Sequence, residues 1–352
     1  MKLKTQTQQK IARILRKNLT VEVIVAITIL MIALAYGGSY WISSKYGYAE
    51  SLEADAKSAV IAKYRALDGV AIKEEEDLGI EAQVWAAIID ARDEGAPVRG
   101  ISKAGVVYEL PVEGTFTRFL AFFPYGISDI EVGPIRSIRP YFINIVKEYG
   151  SMVAHAGGSP SALKRIKEVR SLNEISYLGP KYFFRDSTRL APYNLFILSD
   201  DTVDAVLELG DKEENFNSWV FKDDPALKSR TKTPKNIKVG QEEFIYNRNK
   251  NSYEWRRNGK AQIDGGDNKK IFAKNVVIMK VPKPKVLDNE GRLSIQLTGS
   301  GEAKIYRDGA LLEGIWRKGK DGLRVKWLHK PQSDSKKEIP LNRGLTWIFV
   351  SS

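Results

Sequence analysis

Hydrophobic and polar positions divide this chain into three stretches, and the first is a long apolar run. From Val23 to Ile42 there are 20 consecutive residues without a charge. At about 1.5 Å per residue, a helix of this length matches the roughly 30 Å hydrocarbon core of a bilayer. The run therefore predicts one membrane-spanning anchor over residues 23–42. Because Ala33-Leu34-Ala35 has the small-x-small form of a cleavage site, a signal peptide cleaved after Ala35 is the alternative.

Charged residues on either side of the apolar run predict its orientation. Residues 1–22 contain six Lys or Arg against Glu22, whereas only Lys45 follows the run closely. Positive segments stay on the cytoplasmic side, so residues 1–22 are predicted to be a cytoplasmic basic tail and everything after the anchor to be extracytoplasmic. Residues 43–65 contain helix formers with interleaved charges and predict a stalk helix.

The second stretch, residues 66–210, mixes strand and helix patterns. The apolar spacing predicts, in order, three strands, a helix, a strand and a helix at Val84–Ile89, Val106–Glu113, Thr117–Phe123, Pro140–Glu148, Met152–Ala156 and Ala162–Val169. This order of elements predicts an exported mixed α/β domain.

The third stretch is dominated by short β patterns. Residues 211–239 are polar, include two prolines and predict a linker. Residues 240–352 contain closely spaced β-branched and aromatic runs, with turn signals at Asn258-Gly259, Gly299–Gly301 and Asp308-Gly309. This spacing predicts a smaller mainly-β domain, built as a meander, a sandwich or a partly open barrel. The predicted fold class is therefore α+β, with an N-terminal transmembrane helix, a mixed α/β domain and a mainly-β domain.

Composition narrows the chemistry that this fold can perform. The 352 residues include no cysteine and only two histidines, His155 and His329. That excludes thiol catalysis, disulfides, attachment through an acylated cysteine, and thiolate or multi-histidine metal centres. We accordingly predict no cofactor and no metal. The net charge of +12 is uneven, because residues 23–220 have a net charge of −7 and residues 221–352 of +14. A basic C-terminal half favours an anionic partner, such as lipid headgroups, an envelope polymer or nucleic acid.

The clearest local motif is the segment His155-Ala156-Gly157-Gly158-Ser159-Pro160-Ser161. Ser159 suits an N-cap and Pro160 the first helical position, so free backbone N–H groups at a helix start would face the two glycines. Such a helix start attracts anions, but a serine-capped tight connection explains the same residues. His155, at the end of the preceding strand, is either a proton carrier or a buried core histidine.

Arginines and carboxylates are dense among the apolar segments of the second stretch. Glu109 and Glu113 are four residues apart, and in a continuous strand they would face the same side, as an acid–base pair requires. The alternative is a buried ionic network with arginines such as Arg118 and Arg136. Arg136 and Arg139 also precede a predicted helix, where guanidinium groups can hold a carboxylate or a phosphate.

Basic and aromatic residues alternate in the third stretch, where the aromatic ones are Tyr253, Trp255, Trp316 and Trp327. This mixture is typical of surfaces that bind glycans or single-stranded nucleic acid. Equally, the aromatic residues could form the core and the basic residues the solvated faces of strands. No nucleotide-binding fingerprint and no nucleophile-elbow motif occurs in the sequence.

Several of these segments together resemble a known family. In the second stretch they are Ala87–Asp90, Ala104–Glu109, Val112-Glu113-Gly114, Thr117-Arg118-Phe119, Gly133–Phe142, His155–Pro160, Phe184-Arg185-Asp186 and Ala191–Leu195. In the third stretch they are Leu297–Gly301, Tyr306–Gly309, Gly314-Ile315-Trp316 and Leu341–Trp347. From about Ala66 to the end, the chain resembles the YerB-like family, known as domain of unknown function 3048. The resemblance implies an extracytoplasmic protein held at the membrane, as many relatives are through an acylated cysteine, and it implies no biochemical activity.

The sequence thus predicts a single-pass, membrane-anchored extracytoplasmic protein of the bacterial cell envelope. We expect it to bind an anionic envelope ligand through a cleft lined by Arg118, Arg136, Arg139, His155, Gly157, Gly158, Ser159, Arg185, Asp186 and Asn194. An alternative is an envelope hydrolase that uses Glu109 or Glu113 with His155, and a further alternative is an exported nucleic-acid-binding protein. Whether the protein is an enzyme is left open by the sequence.

Overall fold

The computed structural model describes residues 8–10, 23–34, 36–37, 63–72, 84–210, 216–320, 323–330 and 337–352. By contacts the chain divides into two compact units, Met1–Ile61 and Ala62–Ser352.

In the first unit, residues 23–34 are helical, and apolar side chains such as Leu30 and Met31 are exposed. Among the residues that the structure describes, no helix has both the length and the apolar character needed to cross a membrane. The predicted membrane-spanning helix is therefore not supported, and its residues 35 and 38–42 lie outside the described residues. So does the predicted stalk over 43–62. Residues 63–65 are not helical, since Tyr64 instead forms a β-bridge with Ala71.

The second unit is a mixed α/β fold with many strands and few helices. Its described strands up to residue 210 are β1 (Val84–Asp90), β2 (Val106–Pro111), β3 (Thr117–Pro124), β4 (Glu131–Val132), β5 (Met152–His155), β6 (Arg170–Asn173), β7 (Phe183–Arg185) and β8 (Leu195–Leu198). The later strands are β9 (Phe221–Lys222), β10 (Ile237–Val239), β11 (Glu242–Asn247), β12 (Ser252–Arg257), β13 (Lys260–Ala261), β14 (Phe272–Ala273), β15 (Asn275–Lys280), β16 (Lys285–Val286), β17 (Leu293–Ser294), β18 (Gly299–Arg307), β19 (Ala310–Lys318), β20 (Lys326–His329), β21 (Leu341–Asn342) and β22 (Thr346–Ser351). The α-helices are α1 (Pro140–Glu148), α2 (Pro160–Arg165), α3 (Gly179–Tyr182) and α4 (Asp201–Glu208).

A ten-stranded sheet runs through the whole second unit. Its strand order is β20-β19-β18-β15-β22-β2-β3-β1-β5-β6. The last strand of the chain, β22, pairs in parallel with both β15 and β2. Strands from residues 66–210 and from residues 240–352 therefore share one sheet. At its far end β1, β5 and β6 are parallel neighbours, with α2 connecting β5 to β6.

The two faces of this sheet are covered differently, and we name them by what covers them. On the helix face, Tyr108 and Leu110 of β2 pack in one cluster with α1 residues such as Phe142 and Val146. On the opposite, sheet face, Val107 packs with residues of the smaller sheets. These are a five-stranded sheet of β10–β14 and a three-stranded sheet ordered β4-β8-β7. Because side chains alternate along a strand, neighbouring residues of β2 belong to different faces.

The predicted linker also contributes to the core. Of residues 211–239, those from 216 onward are described, and they include β9 and β10. Trp219 is buried, and its indole N–H donates to the carbonyl of Val325 at 2.7 Å. The guanidinium of Arg324 lies 3.4 Å from the centroid of the Trp219 ring.

Two of the three predicted turns are confirmed, and one is wrong. Asn258-Gly259 and Asp308-Gly309 have positive φ at both positions and connect paired strands. Gly299–Gly301 instead lies within β18. A Cβ atom on Gly301 would come within 2.6 Å of the Trp316 indole nitrogen, so this glycine allows a close approach in the sheet rather than a turn.

Candidate functional site

Charged side chains converge on the helix face where β1 ends, and we call them the arginine cluster. Its members are Asp90, Arg92, Glu113, Arg118, Arg136 and Arg139. The cluster begins from a cross-strand pair, because Asp90 of β1 and Arg118 of β3 are direct partners in the sheet. Arg136 and Arg139 come from the segment that leads into α1.

Asp90, which is 1% exposed, binds two of these arginines. Arg92 Nε donates to Asp90 Oδ1 at 3.1 Å and Arg92 Nη2 to Asp90 Oδ2 at 2.9 Å. Arg136 Nε lies 2.8 Å from Asp90 Oδ2, and Arg136 Nη1 donates to the carbonyl of Pro192 at 3.3 Å. The Tyr193 ring lies beside both guanidinium groups, with its centroid 5.1 Å from Arg92 Cζ and 5.6 Å from Arg136 Cζ. These contacts leave one side of Arg92 and of Arg136 partly exposed.

The other two arginines share Glu113. Arg139 Nη2 donates to Glu113 Oε1, and Arg118 Nη2 lies 3.9 Å from Glu113 Oε2. Both arginines also donate to the carbonyl of Ser137, Arg118 Nη1 at 2.7 Å and Arg139 Nη1 at 3.4 Å. Arg139 Nε is buried and has no hydrogen-bond partner among the described residues. The cluster thus holds four guanidinium groups against two carboxylates.

The pKa values of the cluster reflect burial and this excess of positive charge. Burial and the nearby Arg139 charge lower the pKa of Arg118 to about 10. Burial also lowers the pKa of Arg136, although Asp90 opposes the shift. Burial by itself would raise the pKa of Glu113, but the charge and hydrogen bond of Arg139 lower it. Each of these groups is therefore charged at neutral pH.

The loop of residues 156–159, which we call the Gly-rich loop, lies directly beside residues 136–139, which we call the arginine segment. Ala156 N donates to the carbonyl of Arg136 at 3.0 Å, and Ser159 N donates to the carbonyl of Ile138 at 3.2 Å. Gly157 N donates to Asn173 Oδ1 at 2.9 Å. Three backbone N–H groups of the loop therefore have hydrogen-bond partners within the protein and are not free to bind an anion. This agrees with the interpretation of the loop as a serine-capped tight connection. Ser159 caps α2, since its Oγ accepts from Ala162 N at 3.3 Å.

The two glycines of this loop have different roles. Gly157 has a φ of +58°, in the left-handed region that glycine tolerates best. Gly158 does not have a positive φ, but a Cβ atom there would lie 2.9 Å from Ile138 Cγ2. Gly158 is therefore needed for close packing against the arginine segment.

The remaining predicted ligand residues surround the loop that contains Tyr193. Arg185 donates to Asn194 Oδ1 at 3.0 Å and to Glu174 Oε1 at 2.6 Å. Asp186 accepts from Arg99 at 2.6 Å and from Thr188. The Thr188 hydrogen bonds, together with Arg99, lower the pKa of Asp186 to about 2. Arg185 and Asn194 thus adjoin the arginine cluster through the Pro192–Asn194 segment, whereas Asp186 belongs to a separate ion pair.

Glu109 and Glu113 do not face the same side. Strand β2 ends at Pro111, so the alternation that would align them does not extend to Glu113. Glu113 reaches the arginines on the helix face, whereas Glu109 points to the sheet face. There it accepts from Thr117 Oγ1 at 2.9 Å and from Trp347 Nε1 at 3.2 Å.

Glu109 lines a cavity of about 720 Å³ that the sequence did not indicate, and we call it the acid cavity. Glu242 and Arg257 line it too, and Arg257 Nε donates to Glu242 Oε1 at 2.6 Å. Burial, followed by the nearby charge of Glu242, raises the pKa of Glu109 to about 8. Burial also raises the pKa of Glu242 despite Arg257. Neither Glu242 nor Arg257 stands out in the sequence, where both occur in alternating strand patterns.

His155 lies far from Glu109. It shares its side of β5 with Val153, which belongs to the helix face. Three strand spacings separate β2 from β5 in the sheet order, which is about 14 Å. His155 is fully buried, and both ring nitrogens are hydrogen-bonded, Nδ1 to the carbonyl of Gly157 and Nε2 to Ser171 Oγ, each at 2.7 Å. The structure therefore does not bring Glu109, Glu113 and His155 together around one substrate.

The aromatic residues proposed for nucleic-acid or glycan stacking are buried. Tyr253, Trp255, Trp316 and Trp327 are each at most 1% exposed. Their faces are covered by core residues, so they offer no stacking platform to solvent. Within the part of the chain that the structure describes, no group of three or more His, Asp or Glu residues is placed to hold a metal ion.

Comparison with known proteins gives consistent matches over most of the chain. Residues 68–211 match the model described as "Protein of unknown function (DUF3048) N-terminal domain", and residues 234–348 match the corresponding C-terminal domain. The chain is 26% identical over 279 residues to "Putative lipoprotein YerB" of Bacillus subtilis (strain 168), which covers 77% of this chain and 81% of that protein. The crystal structure of the YerB protein from Bacillus subtilis superposes with a TM-score of 0.67 at 24% identity, over 82% of this chain and 96% of that one. The two chains share a fold.

Proposed function

Because the chain belongs to the protein family DUF3048, whose description states no activity, we propose that it is a membrane-associated extracytoplasmic protein that binds an anionic ligand of the cell envelope at the arginine cluster. Its location is inferred from the relative described as a lipoprotein. This chain contains no cysteine, so an acylated cysteine cannot attach it. The uncharged residues 23–42, with their basic flank, are the segment that we assign to the membrane.

The observation that supports ligand binding is the unbalanced charge of the cluster. Four arginines surround Asp90 and Glu113, which leaves an excess of two positive charges in a partly buried place. Like charges held together and partly desolvated destabilise the fold unless an anion compensates them. The buried Arg139 Nε, which lacks a partner among the described residues, is a further donor without an acceptor.

The geometry favours a ligand with phosphate or carboxylate groups. Asp90 fixes one edge of Arg92 and of Arg136, and Tyr193 supports both guanidinium groups. Their partly exposed edges can then bind an anion through paired N–H donors, as guanidinium groups do with phosphate. The basic C-terminal half supplies long-range attraction for an extended anion such as a teichoic-type polymer.

The test measures binding and stability on the same variants of the full chain in neutral detergent. The probe is polyglycerol phosphate, titrated by calorimetry, and phosphatidylglycerol vesicles form a second arm that distinguishes a polymer from a lipid surface. Arg136→Lys keeps the positive charge but removes the paired N–H donors of the planar guanidinium group. We therefore expect about tenfold weaker binding with an unchanged melting temperature. Arg292→Lys is the matched control, because Arg292 pairs with Asp288 and Glu290, neither of which belongs to the arginine cluster.

The competing account is a purely structural ion-pair network. In that case Arg136→Lys lowers the melting temperature and leaves binding to both probes as strong as in the unsubstituted protein. Binding that neither Arg136→Lys nor Arg292→Lys weakens, with unchanged melting temperatures, would show only nonspecific charge attraction, because both substitutions keep the charge. Either result removes the proposed site.

A further inference from the structure

A serine and a histidine, neither of which belongs to the arginine cluster, form a hydrogen-bonded pair on the helix face. His155 Nε2 lies 2.7 Å from Ser171 Oγ, and His155 Nδ1 lies 2.7 Å from the carbonyl oxygen of Gly157. A carbonyl oxygen only accepts, so Nδ1 carries the proton of the neutral ring. Nε2 is then the acceptor, and the Ser171 hydroxyl donates to it. This is the arrangement that activates a serine nucleophile.

The fold brings the pair together from two parallel strands. His155 ends β5, and Ser171 lies in the neighbouring edge strand β6, where it pairs with Val153. The backbone turn at Gly157 returns its carbonyl to the imidazole two residues earlier. Burial lowers the pKa of His155 to about 4, so the ring is neutral at physiological pH, and the same burial makes it a weaker base than an exposed histidine.

A cavity lies beside the serine. It has a volume of about 430 Å³, within the range of small-molecule sites, and Ser171, Ser151 and Asn173 all line it. Ser151 is 2% exposed, and its hydroxyl has no hydrogen-bond partner among the described residues. A buried hydroxyl without a partner costs stability, so it indicates a polar group that enters this cavity from outside the chain.

We propose that Ser171 is the nucleophile and His155 the general base of a serine esterase site, with the Gly157 carbonyl as the positioning group that fixes the histidine tautomer. The substrate class is a short O-acyl ester of an anionic alcohol. A cavity of this volume has room for a short acyl group, and its wall contains Lys147, Lys167 and Arg170 against one carboxylate, Glu168, which favours an anionic alcohol. This activity is separate from the anion binding proposed above, since none of its residues belongs to the arginine cluster.

The reaction follows from the two hydrogen bonds. Ser171 Oγ adds to the acyl carbon while its proton passes to His155 Nε2, and the alcohol leaves with that proton as its C–O bond breaks. Water then adds to the acyl–serine ester and gives a proton to His155. The carboxylic acid departs as Ser171 regains its proton. Asn173 Oδ1 is bound to Gly157 N, so its NH2 group is the donor that we assign to the oxyanion.

The absence of a carboxylate in this pair predicts a slow enzyme. In serine hydrolases a carboxylate beside the histidine stabilises the imidazolium, and a wrong tautomer lowers the rate about 10⁴-fold. Here a neutral carbonyl keeps the tautomer but gives less stabilisation of the charge. Covalent labelling is therefore a better readout than turnover.

The test treats the full chain in neutral detergent with a fluorophosphonate, which phosphonylates activated serines, and locates the label by peptide mass spectrometry. We expect labelling of Ser171 in the folded protein and none after denaturation. Ser171→Ala should abolish it, and His155→Gln should reduce it at least about tenfold. Ser294→Ala is the control, because Ser294 is an exposed serine in β17. A second probe, p-nitrophenyl acetate, should give an acyl group on Ser171.

Several results would overturn the proposal. The position of the label on the unsubstituted protein tests the proposal without any variant. If Ser171 is not labelled, or if only other serines are labelled, Ser171 is not the nucleophile. Equal labelling of His155→Gln and unsubstituted protein, with equal melting temperatures, would show that the histidine does not act as a base. The pair would then be a structural hydrogen bond.

Discussion

Replacing Glu109 by glutamine should stabilise this protein at alkaline pH. Glu109 is 5% exposed and accepts from Thr117 and Trp347, and none of the described ion pairs includes it. Its neighbour Glu242 adds a second negative charge in the same cavity. Ionised Glu109 is therefore desolvated without a cation of its own, whereas glutamine has nearly the same shape and no charge.

The magnitude follows from the pKa of this carboxyl group, which burial raises from 4.5 to about 8. Between these values the folded protein holds a proton that the unfolded chain has released, so stability falls as pH rises. Each pKa unit corresponds to about 1.4 kcal/mol, which gives a loss of about 4–5 kcal/mol between pH 4.5 and pH 8. The loss is complete above pH 8. Weaker hydrogen bonds to a neutral acceptor offset about 1 kcal/mol of the gain from Glu109→Gln.

Urea unfolding of the full chain, followed by tryptophan fluorescence from pH 5 to pH 9, measures this effect. At pH 5 Glu109 is already neutral in the folded state, so Glu109→Gln and the unsubstituted protein should differ by about 1 kcal/mol or less. At pH 9 the variant should be about 3–4 kcal/mol more stable. Glu243→Gln is the matched control, since Glu243 is a partly exposed glutamate of β11 that pairs with Lys238.

The reasoning fails if Glu109→Gln is less stable than the unsubstituted protein at pH 9. It also fails if the free energy of unfolding of the two proteins changes in parallel between pH 5 and pH 9. Either result would mean that solvent or Arg257 neutralises Glu109 in the cavity.

Three further predictions concern other parts of the chain. Protease added to intact spheroplasts should digest residues beyond about 50 and leave the first 20 protected, and protection of residues 240–352 would contradict the extracytoplasmic location. The logarithm of the binding constant of the full chain for polyphosphate should fall linearly with the logarithm of the salt concentration, because residues 221–352 have a net charge of +14. Binding that does not depend on salt would refute this. Gly158→Ala should cost about 1–3 kcal/mol through its contact with Ile138, and Gly157→Ala about 1 kcal/mol through its positive φ, both measured by urea unfolding; neutral substitutions would contradict the packing described.

Local patterns in the sequence predicted the elements well because their causes are local. The helix Pro140–Glu148 agrees with its predicted bounds, since proline suits its first position and its apolar residues recur at helical spacing. The predicted strand Val84–Ile89 likewise agrees with β1 to within one residue. The prediction for Glu109 and Glu113 failed for a local reason too, because the strand ended at Pro111, two residues earlier than expected.

Long-range pairing could not be read from the sequence. Strand β22 is 235 or more residues from β2 along the chain, yet it forms a parallel pair with it. The hydrophobic pattern of β22 does not show whether it pairs only with strands of residues 240–352 or also with β2. Either pairing needs the same apolar side chains. For the same reason, the alternation places Glu242 on the same side of its strand as Phe244, and Arg257 on the same side as Trp255, but it does not show that Glu109 meets them.

The position of β22 explains why the acid cavity draws on distant parts of the chain. Trp347 of β22 donates to Glu109 of β2, and its ring centroid lies 4.7 Å from that of Trp255, whose indole N–H donates to Glu242. Two adjoining indoles thus bring a carboxylate from each segment to one cavity. Burial is the main cause of the raised pKa of both carboxyl groups, and the charge of Glu242 raises the pKa of Glu109 further. The charge state of Glu109 therefore depends on the pairing of β22 with β2, and a measurement of its pKa reports whether the two segments of the sheet are joined.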